Sequence, residues 1–288
     1  MVDLAPSICL KSLARLTALF FICLFSNTVH AAMLEFLSSG LEEDLSNTDG
    51  HAIGYTVTTA QLSSAGTGVF DPFLQIKSVG QNSDVESGYN SQATPTLDEN
   101  ISIALTTDQS KTDANTIYVP NVTINGVNYL EFILDINESA SASTKYLAIN
   151  DIKLYGTNNA AITGYNSGAE TLGGESATWD MDADEPTDIL IDYALQGGSG
   201  KPDFVLLVES SIFASYDYIS LYMKAGELTY GGIGEQNHPN FEEWSVSKTS
   251  SAFTPPSAVP LPASAWLFGS ALMGFIAIKR RKLSNRCS

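Results

Sequence analysis

From Ile53 to Val246 no apolar run lasts long before Gly, Asn, Asp, Ser or Pro interrupts it, and this punctuation limits what the chain can become. The runs are residues 53–59, 70–76, 101–105, 117–119, 122–124, 129–136, 146–155, 189–193, 204–209, 218–224 and 241–246. Val, Ile, Tyr, Phe and Thr dominate them, as suits a pleated, half-buried surface. Asn125-Gly126, between Ile124 and Val127, predicts a two-residue hairpin turn. Many short strands at this spacing predict an all-β fold, a β-sandwich or jelly roll, rather than a parallel α/β sheet. Within 146–155 the alternation puts Leu147, Ile149, Asp151, Lys153 and Tyr155 on one face. Tyr146, Ala148, Asn150, Ile152 and Leu154 take the other, which alone is convincingly apolar towards its end. Residues 33–45 read differently: Leu34, Leu37, Leu41 and Leu45 have helical spacing, weakened by Gly40.

Two hydrophobic segments bracket this region. At the front, Lys11 and Arg15 precede an apolar stretch from Leu16 to Phe25, and Val29-His30-Ala31 fits a small-residue cleavage site. Residues 1–31 therefore read as a signal peptide cut after Ala31, with a cut after Ala32 as the alternative. At the back, Val259, Pro260, Leu261, Pro262 and Ala263 lead into an apolar run over 263–278. Leu261 and Pro262 extend that run to 18 residues, close to the ~20 that cross a bilayer core. Pro262 suits the first helical turn, where its missing N–H costs nothing. Lys279, Arg280, Arg281 and Lys282 follow, and such a cluster holds its end of a helix in the cytoplasm, here with residues 283–288. Residues 249–258, rich in Ser, Thr and Pro, read as a linker between the tail and an exported domain over 32–248.

The tail over 259–282 resembles the PEP-CTERM class of sorting signal in its Val-Pro-Leu-Pro-Ala variant, because motif, span and basic cluster occur in that order. The resemblance implies a Gram-negative bacterial protein handled by an exosortase-type membrane enzyme. Such a protein passes through the inner membrane to the cell surface or extracellular matrix. Four segments inside the domain are also similar to stretches of exported domains that carry such tails. They are 68–76, 86–90, 131–138 and 240–244, and that likeness implies no catalytic residues.

Charge narrows the partners. Without the eight charged residues of the two ends, the exported part holds 31 acidic and 7 basic side chains, about −24 in net charge. Nucleic acid needs a basic footprint and is excluded as a partner on this ground, whereas cations are favoured. Cys9, Cys23 and Cys287 all lie in or beyond the end segments, so no disulfide is expected in the domain.

Catalytic constellations are hard to assemble. The domain has two histidines, His51 and His238, both in polar stretches, and no G-x-S-x-G elbow. Glu242-Glu243 beside Trp244 is the best glycosidase pair by composition, but neighbours in a strand face opposite ways. We therefore expect no enzyme and no cofactor. The candidate metal is Ca²⁺ on Asp180, Asp182, Asp184 and Asp188, whose alternating carboxylates suit a hard cation and have no Lys or Arg nearby in sequence. Asp135, Asn137 and Glu138 form a second, weaker cluster. Trp179, beside the acidic loop, is the aromatic candidate for stacking on a sugar ring, while Trp244 reads as core. Two functions are compatible with these features: a structural surface or matrix component, and a Ca²⁺-dependent module binding exopolysaccharide.

Overall fold

The Asn125-Gly126 turn forms as its sequence requires. Both residues take positive φ, 52° and 86°, and Ile124 pairs directly with Val127. The computed structural model describes residues 32–58, 70–77, 85–99, 101–137, 145–196, 200–226, 229–230, 233–234 and 241–248. The leader, the linker over 249–258 and the whole tail lie outside these residues, as do His238 and Glu138. By contacts the chain divides into Met1–Thr254 and Pro255–Ser288, and every described residue belongs to the first unit.

In chain order the strands begin with β1 Ala32–Phe36, β2 Glu42–Asp44, β3 Ala52–Thr56, β4 Phe70–Ile76 and β5 Glu86–Tyr89. Next come β6 Ala104–Thr106, β7 Thr116–Tyr118, β8 Asn121–Ile124, β9 Val127–Asp135 and β10 Tyr146–Thr157. Four short strands follow, β11 Tyr165–Asn166, β12 Thr171–Leu172, β13 Glu175–Ser176 and β14 Trp179–Asp180. The rest are β15 Thr187–Asp192, β16 Phe204–Glu209, β17 Tyr218–Ala225, β18 Thr229–Tyr230, β19 Ile233–Gly234 and β20 Glu242–Ser247. Among the described residues the helices are single 3₁₀ turns, so the fold is all-β.

One sheet runs β1-β15-β10-β17-β6-β7, with β14 beside β10 and β5 beside β17. Besides two small sheets, β11-β12-β13 and β18-β19, a second large sheet runs β2-β3-β16-β9-β20-β4, with β8 beside β9. Pairing is antiparallel except for β1 with β15 and β6 with β7. The two large sheets share one core in a sandwich-like arrangement, since a sheet with one apolar face must bury it on another element. Phe36 of the first sheet meets Phe204 of the second edge to face at 5.2 Å. Trp244 Nε1 of the second donates to Met223 Sδ of the first at 3.1 Å.

Two sequence expectations change. Residues 33–45 form β1 and β2 instead of a helix, because Gly40 turns the chain at φ 76° and Phe36 is drawn into the core. Tertiary burial outweighs the weak helical spacing there. In β10 the register shifts between Ile149, opposite Ala225, and Asp151, opposite Lys224. Asn150 is the extra residue of this bulge. Leu147 and Ile149 before it, and Ile152 and Leu154 after it, therefore all join the inter-sheet core. Asp151, Lys153 and Tyr155 face the other way.

That outer face is not left to solvent. The excursion between β10 and β15 folds over it, and Ile162 and Leu172 cluster with Tyr89, Tyr155 and Tyr222. Tyr165 stacks on Tyr222 at 4.1 Å, and Tyr155 Oη donates to Glu170 O at 3.0 Å. Close packing continues along β10: a Cβ added at Gly156 would lie 2.2 Å from Cδ2 of the Tyr216 ring. Gly156→Ala is expected to cost ~1–3 kcal/mol of stability through overpacking, read by urea unfolding of the full chain.

Candidate functional site

Lys153 has no exposed side-chain surface, which for a lysine demands partners. It finds them because β10 places it opposite Asp180 of β14 and two residues from Asp151 on the same face. Nζ donates to Asp180 Oδ1 at 2.8 Å and Oδ2 at 2.7 Å. It also lies 3.1 Å from Asp151 Oδ1 and 3.4 Å from Glu170 Oε2. Burial works to lower the Lys153 pKa, but Asp151 and Asp180 overcome it and hold the ammonium above its ordinary value. Burial pushes the Asp151 carboxyl up to about 7, against the pull of Lys153 and with Asp180 and Asp182 adding to the rise.

The acidic loop is pinned around this cage. Asp180 Oδ1 accepts from the Asp182 N–H at 2.9 Å, and Asp182 Oδ1 accepts from the Thr187 N–H at 2.8 Å. Asn47 Nδ2 donates to Asp180 O at 2.6 Å, and the Thr48 N–H donates to Asp184 Oδ1 at 3.3 Å. Asp188 Oδ1 accepts from Nδ2 of the bulged Asn150 at 3.0 Å. Local turns of this kind hold the loop as Asp side chains commonly do.

This geometry revises the calcium reading. Of the four carboxylates expected to share an ion, Asp180 and Asp182 gather, and they gather with Asp151. Asp184 and Asp188 make separate contacts with Thr48 and Asn150. The premise that no basic residue is nearby fails in space: Lys153, 27 residues upstream, engages both oxygens of Asp180. A Ca²⁺ ion would have to displace this ammonium, so the donor set does not fit one as it stands.

The sugar-stacking reading is revised as well. Trp179 is 0% exposed and belongs to the inter-sheet core, so its ring offers no face to a ligand. Trp244 is core, as its sequence setting suggests. Of the glycosidase pair, Glu242 is buried, while Glu243 accepts from Gln75 Nε2 at 3.2 Å. His51 Nδ1 lies 3.0 Å from Ser46 Oγ in an exposed turn.

Sequence reading missed the second carboxyl group at the end of the β9 strand. Asp135, from the weaker cluster it did mark, accepts from the Gly200 N–H at 2.6 Å. Asp203 Oδ2 accepts from the Ile136 N–H at 2.9 Å, and its Oδ1 is buried with no partner. Glu243 stands directly across from Asp135 on β20. Burial is the main cause that pushes Asp135 up to about 7 and Asp203 up to about 8. The 67 residues separating Ile136 from Asp203 hide this neighbourhood from any motif.

A hollow of about 500 Å³ is lined by Asn121, Gly126, Val127, Asn128, Glu209 and Ser211, among others. Its titratable side chain, Glu209, accepts from Ser211 Oγ at 2.6 Å. Among the described residues no helix is long and apolar enough to cross a membrane. No family model, curated protein or solved structure matches the chain.

Proposed function

We propose that this chain is an exported surface or extracellular-matrix protein whose β domain, a jelly-roll-like sandwich, has a structural role. The observation that carries the reading is the order of segments in one chain. A leader over 1–31, a cysteine-free acidic domain, the Val259 to Ala263 motif, an apolar run and Lys279 to Lys282 follow one another. Val259 to Pro262, kept out of helix by the prolines, would be the segment read by an exosortase-type enzyme in a Gram-negative host. The run over 263–278 would hold the chain in the inner membrane until it is processed and passed to the surface. An acidic loop whose carboxylates are held by Lys153 and by N–H groups of the chain itself supports a structural component more than a ligand-gripping one.

The alternative, a Ca²⁺-dependent exopolysaccharide module, has less support, since Trp179 is buried and Asp180 is engaged by Lys153. The test follows the full chain and a chain lacking residues 259–282 in the host, by surface and matrix fractionation. The intact chain should reach the surface or matrix, and the shortened chain should not. Equal distribution of the two would sink the sorting role of the tail. Co-sedimentation of the full chain with host exopolysaccharide should be the same with Ca²⁺ and with EDTA. Binding that EDTA abolishes would restore the alternative.

A further inference from the structure

The ammonium of Lys153 and the carboxylate of Asp180 differ from an amide by one molecule of water. They sit directly opposite each other on neighbouring strands, Nζ within 2.8 Å of both Asp180 oxygens. We propose that Lys153 and Asp180 condense into an intramolecular isopeptide bond, with Asp151 as the proton carrier.

Three features of the cage favour this step. The Asp182 N–H, 2.9 Å from Asp180 Oδ1, stands where negative charge would collect during attack on the carboxyl carbon. Asp151 Oδ1 is 3.1 Å from Nζ, and one of its carboxylate oxygens lies within 4.8 Å of an Asp180 oxygen, so the group borders both reactants and a small side-chain shift brings it into proton-transfer reach of each. Nucleophile and electrophile belong to one folded chain, which removes the entropic cost of bringing them together. Burial of the Lys153 side chain also disfavours the charged reactants relative to a neutral amide. Glu170, 59% exposed, borders the cage and leaves a way out for water.

The atoms balance without any co-reactant. Nζ passes one proton to Asp151, which hands it to Oδ2 of Asp180, so that a neutral amine faces a neutral carboxylic acid. The amine lone pair then attacks Cγ, and charge gathers on Oδ1 against the Asp182 N–H. Asp151 takes a second proton from Nζ and delivers it to the same Oδ2, which leaves as water. Nζ keeps one proton, Asp151 ends as it began, and nothing is oxidised or reduced. The carboxylates around Nζ also hold it charged, so attack proceeds through a minor tautomer. The reaction therefore suits a single maturation event per molecule. Its product would fasten the excursion between β10 and β14 to the sheet, in a domain that has no cysteine.

Peptide mapping tests this directly. The full chain, folded, aged and then denatured, is digested with a lysine-specific protease and read by mass spectrometry. The expected product joins the segments bearing Lys153 and Asp180, one water lighter than the intact sequence, with no cleavage after Lys153. Asp151→Asn, which keeps the shape but carries no proton, should lower the linked fraction at least ~10-fold. Asp180→Ala should abolish it. Wild-type chain that cleaves after Lys153 and retains the missing water overturns the proposal. A link equally complete in Asp151→Asn overturns the role of the proton carrier.

Discussion

Replacing Lys153 by methionine is expected to cost the domain ~3–5 kcal/mol, because it leaves buried carboxylates without their cation. That is a large share of the ~5–15 kcal/mol that holds an ordinary domain folded. Asp151 and Asp180 carry the effect, since Nζ lies 3.1 and 2.7 Å from them and Asp151 is 8% exposed. Glu170, much more exposed, adds little through solvent. Methionine keeps most of the apolar stem, so lost packing is a minor part of the change. Urea unfolding of the full chain measures the loss. Adding Asp151→Asn and Asp180→Asn to the same variant should return the electrostatic part. Any loss that remains beyond the minor change in packing would come from the proposed covalent fastening of β14 to β10. A Lys153→Met chain as stable as wild type would show that the cage does not support the fold.

The second large effect is on the pH dependence of stability. Asp135 and Asp203 titrate near 7 and 8 in the folded chain, while an unfolded Asp titrates near its ordinary 3.8. Between those limits the folded state binds more protons than the unfolded state, so stability falls as pH rises. The Gly200 N–H and the Ile136 N–H oppose the shifts, Lys201 pulls Asp203 down, and Glu243 pushes Asp135 up; burial outweighs the opposing contacts. The pair's contribution is therefore full below about pH 4 and is lost at ~1.4 kcal/mol per pH unit per group as pH rises towards 8, so the domain should be clearly less stable at pH 8 than at pH 5. Asp203→Asn removes one titrating group from the pair and should flatten the fall. The comparison with this variant separates the pair from the general repulsion of an acidic domain. Equal unfolding midpoints at pH 5 and pH 8 in the wild type would refute the assignment.

Much of the fold was legible because its signals are local. The Asn125-Gly126 turn needs only two residues, and the strands at 129–136, 146–155, 204–209 and 218–224 announce themselves by β-branched and aromatic runs. What escaped depends on partners far along the chain. The spacing of Leu34, Leu37 and Leu41 looks helical until the strand at 32–36 is seen to lie parallel to the one at 187–192. The alternation of 146–155 shows one face apolar only towards its end, because a single inserted residue, Asn150, exchanges the faces midway. The acidic loop was visible, but its counter-charge was not. Lys153 appears as one polar position in a strand until the pairing with Asp180 places it. Trp179 looked available because it adjoins Asp180, yet burial is decided by the sheet behind it.

The position of the last strand has a consequence for the timing of assembly. β20 does not lie at an edge; it runs between β9 and β4 and joins them. β1, the first described strand, pairs with β15. Contacts so distant along the chain close slowly, because the intervening loop entropy is lost before the pairing is gained. A ribosome-bound chain thus cannot join β4 to the rest of its sheet until residues 242–247 are released. The sheet therefore gains its β4 edge only late, after nearly all of the described strands have been made.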